Sequence, residues 1–278
     1  MNSAPATFED LGVQGCLYLA ALLGAQARRR PIAPTRRLAM EALDTLRTQN
    51  VIALVPTPDT TEPFAKWSVT PLEGIRWRLG WDAYEEERLL PALEEHLEGV
   101  ARDEPGQEIR LALWRQLAGG EAESFFRRQL SKHGFNETWS QDLGYARSHL
   151  GTEISTAQWR YVAWAAVRKG ASHILTQMPN PDALREVIYN ELNRRAAYVA
   201  SGQWGKCALP PYHPWPDSSL AAVFMRHLAD LDWAYWSQVP SMDNLRTAWR
   251  DQALAHSRSD GQSAVWPAHA FAGPSMSS

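Results

Sequence analysis

The pattern of apolar residues near the N-terminus predicts a first helix over residues 9–27. Leucines and alanines recur there at helical spacing and would form a buried stripe. Three consecutive arginines follow, and Pro31 disfavours helical backbone at Arg30. The helix is therefore expected either to end near Gly24 or to run on into Arg28.

A second, amphipathic helix is predicted over residues 35–50. Thr35 is a suitable N-cap because its hydroxyl can accept a hydrogen bond from an N–H of the first turn. The β-branched run over residues 51–55 predicts a short strand, and residues 66–70 predict a strand that returns after a turn-rich stretch. The apolar face of the second helix comprises Leu38, Ala39, Ala42, Leu43 and Leu46.

The remaining pattern predicts helices only. Residues 81–106 form an acidic helical connector, in which Pro91 predicts a kink or a break into two helices. Gly119 and Gly120 are expected to end a helix. The apolar character of residues 155–177 on all sides predicts the centre of a helical bundle. Helices are predicted over residues 107–118, 121–133, 137–150, 155–177, 182–201, 217–236 and 242–256.

Together these elements predict a mainly α fold. A winged-helix-like module, α-helical with a small β-hairpin, would span residues 1–80. The acidic connector would join it to an all-α helical domain over residues 107–256. Residues 257–278 are rich in Ser, Gly and Ala and are expected to form a flexible tail.

The order of elements over residues 9–72 resembles the winged-helix branch of the helix-turn-helix proteins. In that family the last helix before the hairpin enters the major groove, and the hairpin contacts the backbone. The resemblance implies double-stranded DNA as partner, residues 35–50 as the recognition helix and Lys66 as the wing contact. The segment from residue 24 to 34 is short for the family's middle helix. The implied DNA-binding residues are Arg28, Arg29, Arg30, Thr35, Arg36, Arg37, Met40, Arg47 and Lys66.

The distribution of charge includes features for and against DNA binding. Five arginines lie between residues 28 and 37 with no acid among them, which suits contact with phosphates. Glu41 and Asp44, however, share the polar face of the second helix and would repel phosphates. The formal net charge of −3 argues against indiscriminate coating of nucleic acid. The acids of the connector form either a solvated face or a mask for the basic segment.

Composition places the chain among globular proteins, with 45% hydrophobic and 21% charged residues. No apolar run is long enough for a transmembrane helix, and the N-terminus lacks the pattern of a secretory signal. Its two cysteines, Cys16 and Cys207, suit a reducing compartment. We therefore expect a cytoplasmic protein without a membrane partner.

Linear motifs for chemistry are weak. No metal-binding, nucleophile or phosphate-loop signature is present, so neither a cofactor nor catalysis is predicted. The aromatic, proline-rich loop over residues 202–216 either covers the end of the helical bundle or forms a recognition surface. The same choice applies to the thirteen tryptophans, which can build a core or line a pocket. Weak candidate groups are His227 with Asp230 and Asp232, Asp182 with Glu186, and Cys207 with Lys206 and His213.

These observations predict a DNA-binding regulator or DNA-associated accessory protein. Its helical C-terminal domain would serve dimerisation, sensing or partner docking. Two alternatives remain open. One is an adaptor subunit whose winged-helix-like module binds protein, and the other is an enzyme whose active site is assembled from distant residues of the helical domain.

Overall fold

The computed structural model describes residues 7–55, 77–79, 83–101, 106–150, 154–177, 180–203 and 207–247. Over these residues the fold is mainly α with one antiparallel pair of strands, which confirms the predicted class. The predicted strand over residues 66–70, with Lys66, and the tail lie outside the described residues. The elements are α1 (Phe8–Arg28), α2 (Arg36–Thr48), β1 (Ile52–Leu54), β2 (Trp77–Leu79), α3 (Ala83–Ala101), α4 (Gln107–Lys132), α5 (Asp142–Leu150), α6 (Thr156–Gln177), α7 (Pro181–Ala200), α8 (Ser219–Val223) and α9 (Ala234–Ser237).

Helix α1 runs on into Arg28 and is buried on all sides over residues 15–22. It begins with a capping box, in which Thr7 and Asp10 satisfy each other's backbone N–H groups. It ends where Arg29 adopts a left-handed conformation with φ of 51°. Because α2, α3 and α8 all pack against α1, this apolar helix lies at the centre of one cluster of buried residues.

Helix α2 has the predicted N-cap, since the hydroxyl of Thr35 accepts a hydrogen bond from Leu38 N at 3.4 Å. The predicted apolar face is buried. No helix lies between α1 and α2, so the middle helix of a winged-helix domain is absent there. Strand β1 lies within the predicted residues 51–55. Its antiparallel partner is β2, which pairs Ile52 with Leu79 and which the sequence pattern did not identify as a strand.

Helix α3 continues through Pro91. Of the two predicted alternatives, a kink or a break into two helices, the break is wrong. Pro91 is exposed, whereas Leu89, Leu93 and Leu97 form a buried stripe on the side that packs against α1. The regular four-residue spacing of these leucines gives α3 one apolar face along its length. Burial of that face against α1 stabilises the helix on both sides of the proline.

Helix α4 also continues through Gly119 and Gly120, so the predicted helix end there is wrong. A Cβ atom on Gly119 would lie 1.6 Å from the guanidinium of Arg147. A Cβ atom on Gly120 would lie 2.8 Å from Leu38 Cδ1 and 3.3 Å from Pro34. The two glycines therefore allow close packing in the middle of a helix, which outweighs their low helix propensity.

The buried residues form two clusters. The first contains residues of α1, α2, the strand pair, α3, the first half of α4 and the segment from residue 220 to 245. The second contains the second half of α4 together with α5, α6 and α7, whose helices agree with the predicted ones over residues 155–177 and 182–201. The division of the chain at residues 80, 106 and 256 stays a prediction.

The prediction of a single helix over residues 217–236 is wrong. Helix α8 passes into a π-helical turn over Phe224–Leu228, and the chain then bends before α9. Asp230 and Asp232 have positive φ angles of 48° and 40°, which takes them off the helix that carries His227. No group of three potential metal ligands occurs among the described residues.

Residues 242–247, within the last predicted helix, are helical. None of the described helices is long and apolar enough to cross a membrane.

Candidate nucleic-acid interface

The arginines at the end of α1 are exposed and have no acidic partner among the residues that the structure describes. Arg28 lies in the last turn, Arg29 is the left-handed residue that ends the helix, and Arg30 follows. Arg30 N donates to the carbonyl of Ala25 at 3.2 Å, which closes the helix end. Within the described part of the chain, none of the three arginines forms an ion pair. Their ordinary role would be to complement the helix dipole, which leaves their guanidinium groups accessible to an anion.

The arginines on the polar face of α2 differ, because acids of the same helix lie beside them. Arg37 lies 3.9 Å from Glu41, and Arg47 lies 3.0 Å from Asp44. Thr35 is buried and its hydroxyl is used by the N-cap. Arg36 and Met40, the other two predicted contacts on this helix, are half-buried.

Two side chains donate hydrogen bonds to the carboxylate of Glu41. Tyr18 Oη donates to its carboxylate at 3.0 Å, and Gln116 Nε2 donates at 3.0 and 3.1 Å. Burial raises the pKa of Tyr18 to about 12, so its hydroxyl stays a donor. These contacts hold α2 against α1 and α4.

A pocket of about 300 Å³ opens beside Arg28 and Arg30. We call it the arginine pocket, because a third arginine, Arg226, also lines it, together with His227. An aromatic ring, that of Trp215, completes the polar part of the lining, and no residue of α2 contributes to it. The pocket is lined by Arg28, Arg30, Trp215, Ala222, Val223, Arg226 and His227.

Backbone hydrogen bonds join the segment that follows Arg30 to the start of α8. The N–H groups of Ser219 and Leu220, at the start of α8, donate to the carbonyls of Pro31 and Ile32 at 2.9 and 2.8 Å. These are N–H groups that a helix start leaves without intrahelical partners. The segment that follows Arg30 therefore caps α8, and the arginines at the end of α1 are held beside it.

The π-helical turn brings Arg226 and His227 to the pocket. Ala229 N donates to the carbonyl of Phe224 at 2.9 Å, a hydrogen bond that skips one residue more than in an α-helix. This wider turn places Arg226 and His227 on the same side as Ala222 and Val223 of α8. Turns of this kind occur frequently at functional sites.

Trp215 is positioned by its neighbours in the proline-rich loop and by α9. Trp236 Nε1 donates a hydrogen bond to the carbonyl of Pro214, which ties the loop to a buried indole. The guanidinium carbon of Arg226 lies 4.6 Å from the centroid of the Trp215 ring, a cation–π contact. Trp215 nevertheless remains 41% exposed, so part of the ring is accessible to a ligand.

Two carboxylates of the acidic helix α3 hold His227. Its Nδ1 lies 2.8 Å from Glu98 Oε1, and its Nε2 lies 3.5 Å from Glu94 Oε1. Two carboxylates therefore fix the imidazole ring from both sides. Glu94 and Glu98 of α3 thus contact His227, and among the described residues no acid of α3 forms an ion pair with Arg28, Arg29 or Arg30.

A second ionisable group lies between the two clusters of buried residues. Glu121, in the middle of α4, is buried, and burial raises its pKa to about 7. Ser218 Oγ donates to its carboxyl group at 3.4 Å. Burial, followed by the charge of Glu121, raises the pKa of Tyr235 well above its usual value. Glu121 is not among the residues that line the arginine pocket.

The structure brings together two features that the sequence flagged separately, namely the arginines of residues 28–30 and the aromatic loop. Pro216 of the loop is buried and Trp215 lines the pocket. Whether the loop covers the end of the helical bundle or forms a recognition surface stays a prediction. Arg226 and His227 were missed as partners of this site. No local pattern could have identified them, because the π-helical turn and the packing of α8 on α1 place them there.

Comparison of the chain with family models, with curated proteins and with solved structures gave no match.

Proposed function

We propose that this chain is a DNA-binding regulator or DNA-associated accessory protein that holds double-stranded DNA through the arginines at the end of α1 and on α2. The observation that carries the proposal is the exposure of Arg28, Arg29 and Arg30 without an acidic partner among the described residues. Consecutive guanidinium groups on a surface suit the closely spaced phosphates of a DNA strand. Such contacts position the protein on the duplex and carry little sequence information.

The polar face of α2 would extend this contact surface as the recognition helix. Arg37 is paired with Glu41 only at 3.9 Å, and its side chain is 71% exposed. An exposed pair of this length contributes little to stability, so a phosphate can displace the carboxylate. Arg47 is bound more closely to Asp44 and would contribute less to DNA binding.

The helical remainder would supply self-association or a docking surface for a protein partner. Leu175 is 86% exposed near the end of α6, beside the partly exposed Ile174, and such apolar groups suit a contact. Both cysteines are free, as expected in a reducing compartment, and we place the protein in the cytoplasm as part of this proposal.

The test is the salt dependence of DNA binding by the full chain. Fluorescence anisotropy of a labelled duplex with 5′-hydroxyl ends would be measured over a range of salt concentrations. A triple variant with Arg28→Ala, Arg29→Ala and Arg30→Ala should bind more weakly. Each lost phosphate contact should reduce the slope of log affinity against log salt by about 0.9.

The matched control removes the same charge elsewhere. Arg127, Lys132 and Lys169 are exposed on α4 and α6, and their replacement by alanine also lowers the net charge by three. That variant should retain the slope of the wild type. An absence of duplex binding by the wild type at low salt, or equal losses in both variants, would contradict the proposal.

A further inference from the structure

Three arginines, each with a positive charge, line the arginine pocket. Arg28, Arg30 and Arg226 line a volume of about 300 Å³, and in the described part of the chain none of them pairs with a carboxylate. His227 is already held by Glu98 and Glu94. Positive charges that line one pocket repel one another, and an anion bound between them relieves that repulsion. The charge of the pocket therefore favours an anionic ligand.

The guanidinium groups further limit which anions suit the pocket. Guanidinium groups bind planar or tetrahedral oxyanions through two parallel N–H donors, and phosphate is a preferred partner. A phosphate monoester carries nearly two negative charges at neutral pH. A diester within a nucleic-acid strand carries only one. Three arginines around a single small volume match the monoester better.

The aromatic wall indicates what the phosphate is attached to. Trp215 is partly exposed, and Arg226 stacked at 4.6 Å holds the ring in place. Nucleobases stack on exposed aromatic side chains irrespective of sequence. The Trp236 hydrogen bond to Pro214 fixes the loop that carries this ring, so the stacking surface is preorganised. A volume of about 300 Å³ is at the small end of ligand sites and suits one nucleotide rather than several.

We infer that the arginine pocket binds one nucleoside phosphate monoester, with the phosphate on Arg28, Arg30 and Arg226 and the base against Trp215. A free mononucleotide and the 5′-phosphorylated end of a DNA strand share this chemistry. The inference goes beyond duplex binding and does not depend on it, because Arg226 and Trp215 are absent from the proposed duplex contacts. Arg28 and Arg30 would contribute to both the duplex contact and the phosphate site.

Isothermal titration of the full chain tests the inference with four probes. Adenosine monophosphate should bind at one site per chain, and adenosine, which lacks the phosphate, should not bind. Inorganic phosphate should bind more weakly than the mononucleotide because it lacks the base. The fourth probe is a 5′-phosphorylated single-stranded oligonucleotide, compared with the same oligonucleotide ending in a 5′-hydroxyl. Tighter binding of the phosphorylated strand than of the mononucleotide identifies the strand end as the source, and the reverse identifies the free nucleotide.

Two variants assign the binding to the pocket. Arg226→Ala should weaken mononucleotide binding roughly tenfold or more, because a charge-assisted hydrogen bond is lost. Trp215→Ala should weaken it by about fivefold or more through lost stacking. Both side chains are exposed, so folding is expected to be retained, and thermal unfolding of the variants checks this.

The chain offers a matched control for each variant. Arg168 stacks on Trp164 at 4.9 Å outside the pocket, so Arg168→Ala removes an equivalent arginine. Trp233 is 44% exposed and does not line the pocket, so Trp233→Ala removes an equivalent ring. Both controls should bind the mononucleotide as the wild type does. The inference is overturned if the wild type binds no phosphorylated probe, if phosphate binds as tightly as the mononucleotide, or if the controls lose as much affinity as the pocket variants.

Failure of duplex binding and failure of the pocket give different results. The pocket variants Arg226→Ala and Trp215→Ala should leave the salt slope for a duplex with 5′-hydroxyl ends unchanged. Arg37→Ala should weaken duplex binding and leave mononucleotide affinity unchanged. Each proposal can therefore fail while the other stands.

Discussion

The arginines of α7 and those around the arginine pocket have the same chemistry but opposite surroundings. Arg185 donates two hydrogen bonds to Asp142, at 2.9 and 2.7 Å. Arg194 and Arg195 both donate to Glu191, which is buried. Every arginine of α7 is thus bound to a carboxylate. The arginines of the pocket have none among the described residues.

This difference separates structural arginines from those available to a ligand. A guanidinium held by a buried carboxylate is part of the packing, and its removal leaves an unpaired charge inside the protein. An exposed guanidinium without a partner adds little to stability and keeps its donors for an anion. Substitutions that break the ion pairs of α7 should therefore lower stability. Substitutions of the pocket arginines should weaken ligand binding and change stability little.

The largest effect on stability is expected from a buried acid that has no close ion pair among the described residues. Glu121 has a pKa raised by burial to about 7, against 4.5 for an exposed glutamate. The native state therefore holds the proton more tightly, and stability falls as the pH rises from about 4.5 to about 7. Glu121→Gln, which mimics the protonated form, should be more stable than the wild type by about 3 kcal/mol at pH 8. Chemical denaturation at several pH values measures the difference.

That difference should close as the pH falls towards 4.5, where the wild-type carboxyl group is protonated. Glu137→Gln on the surface is the matched control and should track the wild type at every pH. A constant difference between Glu121→Gln and the wild type across the pH range would show that Glu121 does not bind a proton in the native state as described.

The second prediction removes the partner of two arginines of α7. Burial opposes ionisation of Glu191, but hydrogen bonds from Arg194 and Arg195 outweigh it and lower the pKa of this carboxyl group. Glu191→Ala should cost roughly 2 kcal/mol of unfolding free energy above pH 5, because charge-assisted hydrogen bonds are lost. In the wild type this contribution is lost as the pH falls below the usual value of 4.5 and through the lowered pKa. Glu186→Ala, at an exposed position of the same helix, should cost little.

The third prediction concerns the backbone of the basic segment itself. Arg29 has φ of 51°, a conformation that costs an ordinary residue about 1 kcal/mol relative to glycine. Arg29→Gly should therefore raise the free energy of unfolding by about that amount while it weakens binding to duplex DNA.

Arg28 provides the opposite case, since it lies in the last turn of α1 with helical backbone. Arg28→Gly should lower stability by up to about 1 kcal/mol, although it removes the same charge. Denaturation and duplex titration of both variants check the pair. If both substitutions lower stability, the left-handed backbone at Arg29 is not the source of the effect.

Much of the fold could be predicted because the decisive interactions are local. The N-cap Thr35 and the apolar face behind it predict α2, and apolar spacing predicts α6 and α7. The continuation of α4 through Gly119 and Gly120 could not be predicted, since its cause lies in contacts with Arg147, Leu38 and Pro34. Likewise, the continuation of α3 through Pro91 depends on its packing against α1, which the sequence does not show.

The site was predictable in parts and not as a whole. The sequence identified the basic segment and the aromatic loop, because consecutive arginines and proline-bounded tryptophans stand out. It could not show that α8 packs beside Arg30 through the carbonyls of Pro31 and Ile32, nor that a π-helical turn directs Arg226 to the same pocket. The pairing state of each arginine is also invisible in the sequence, since α7 and the basic segment are both rich in arginine.

The most direct measurement records the Nε–Hε resonances of the arginine side chains by NMR while the full chain is titrated with adenosine monophosphate. Single Arg→Lys variants assign the resonances. We expect Arg28, Arg30 and Arg226 to shift and saturate together, whereas Arg185, Arg194 and Arg195 stay unchanged because carboxylates hold them. Equal shifts in both groups, or no shift of the pocket arginines at saturating nucleotide, would contradict the account.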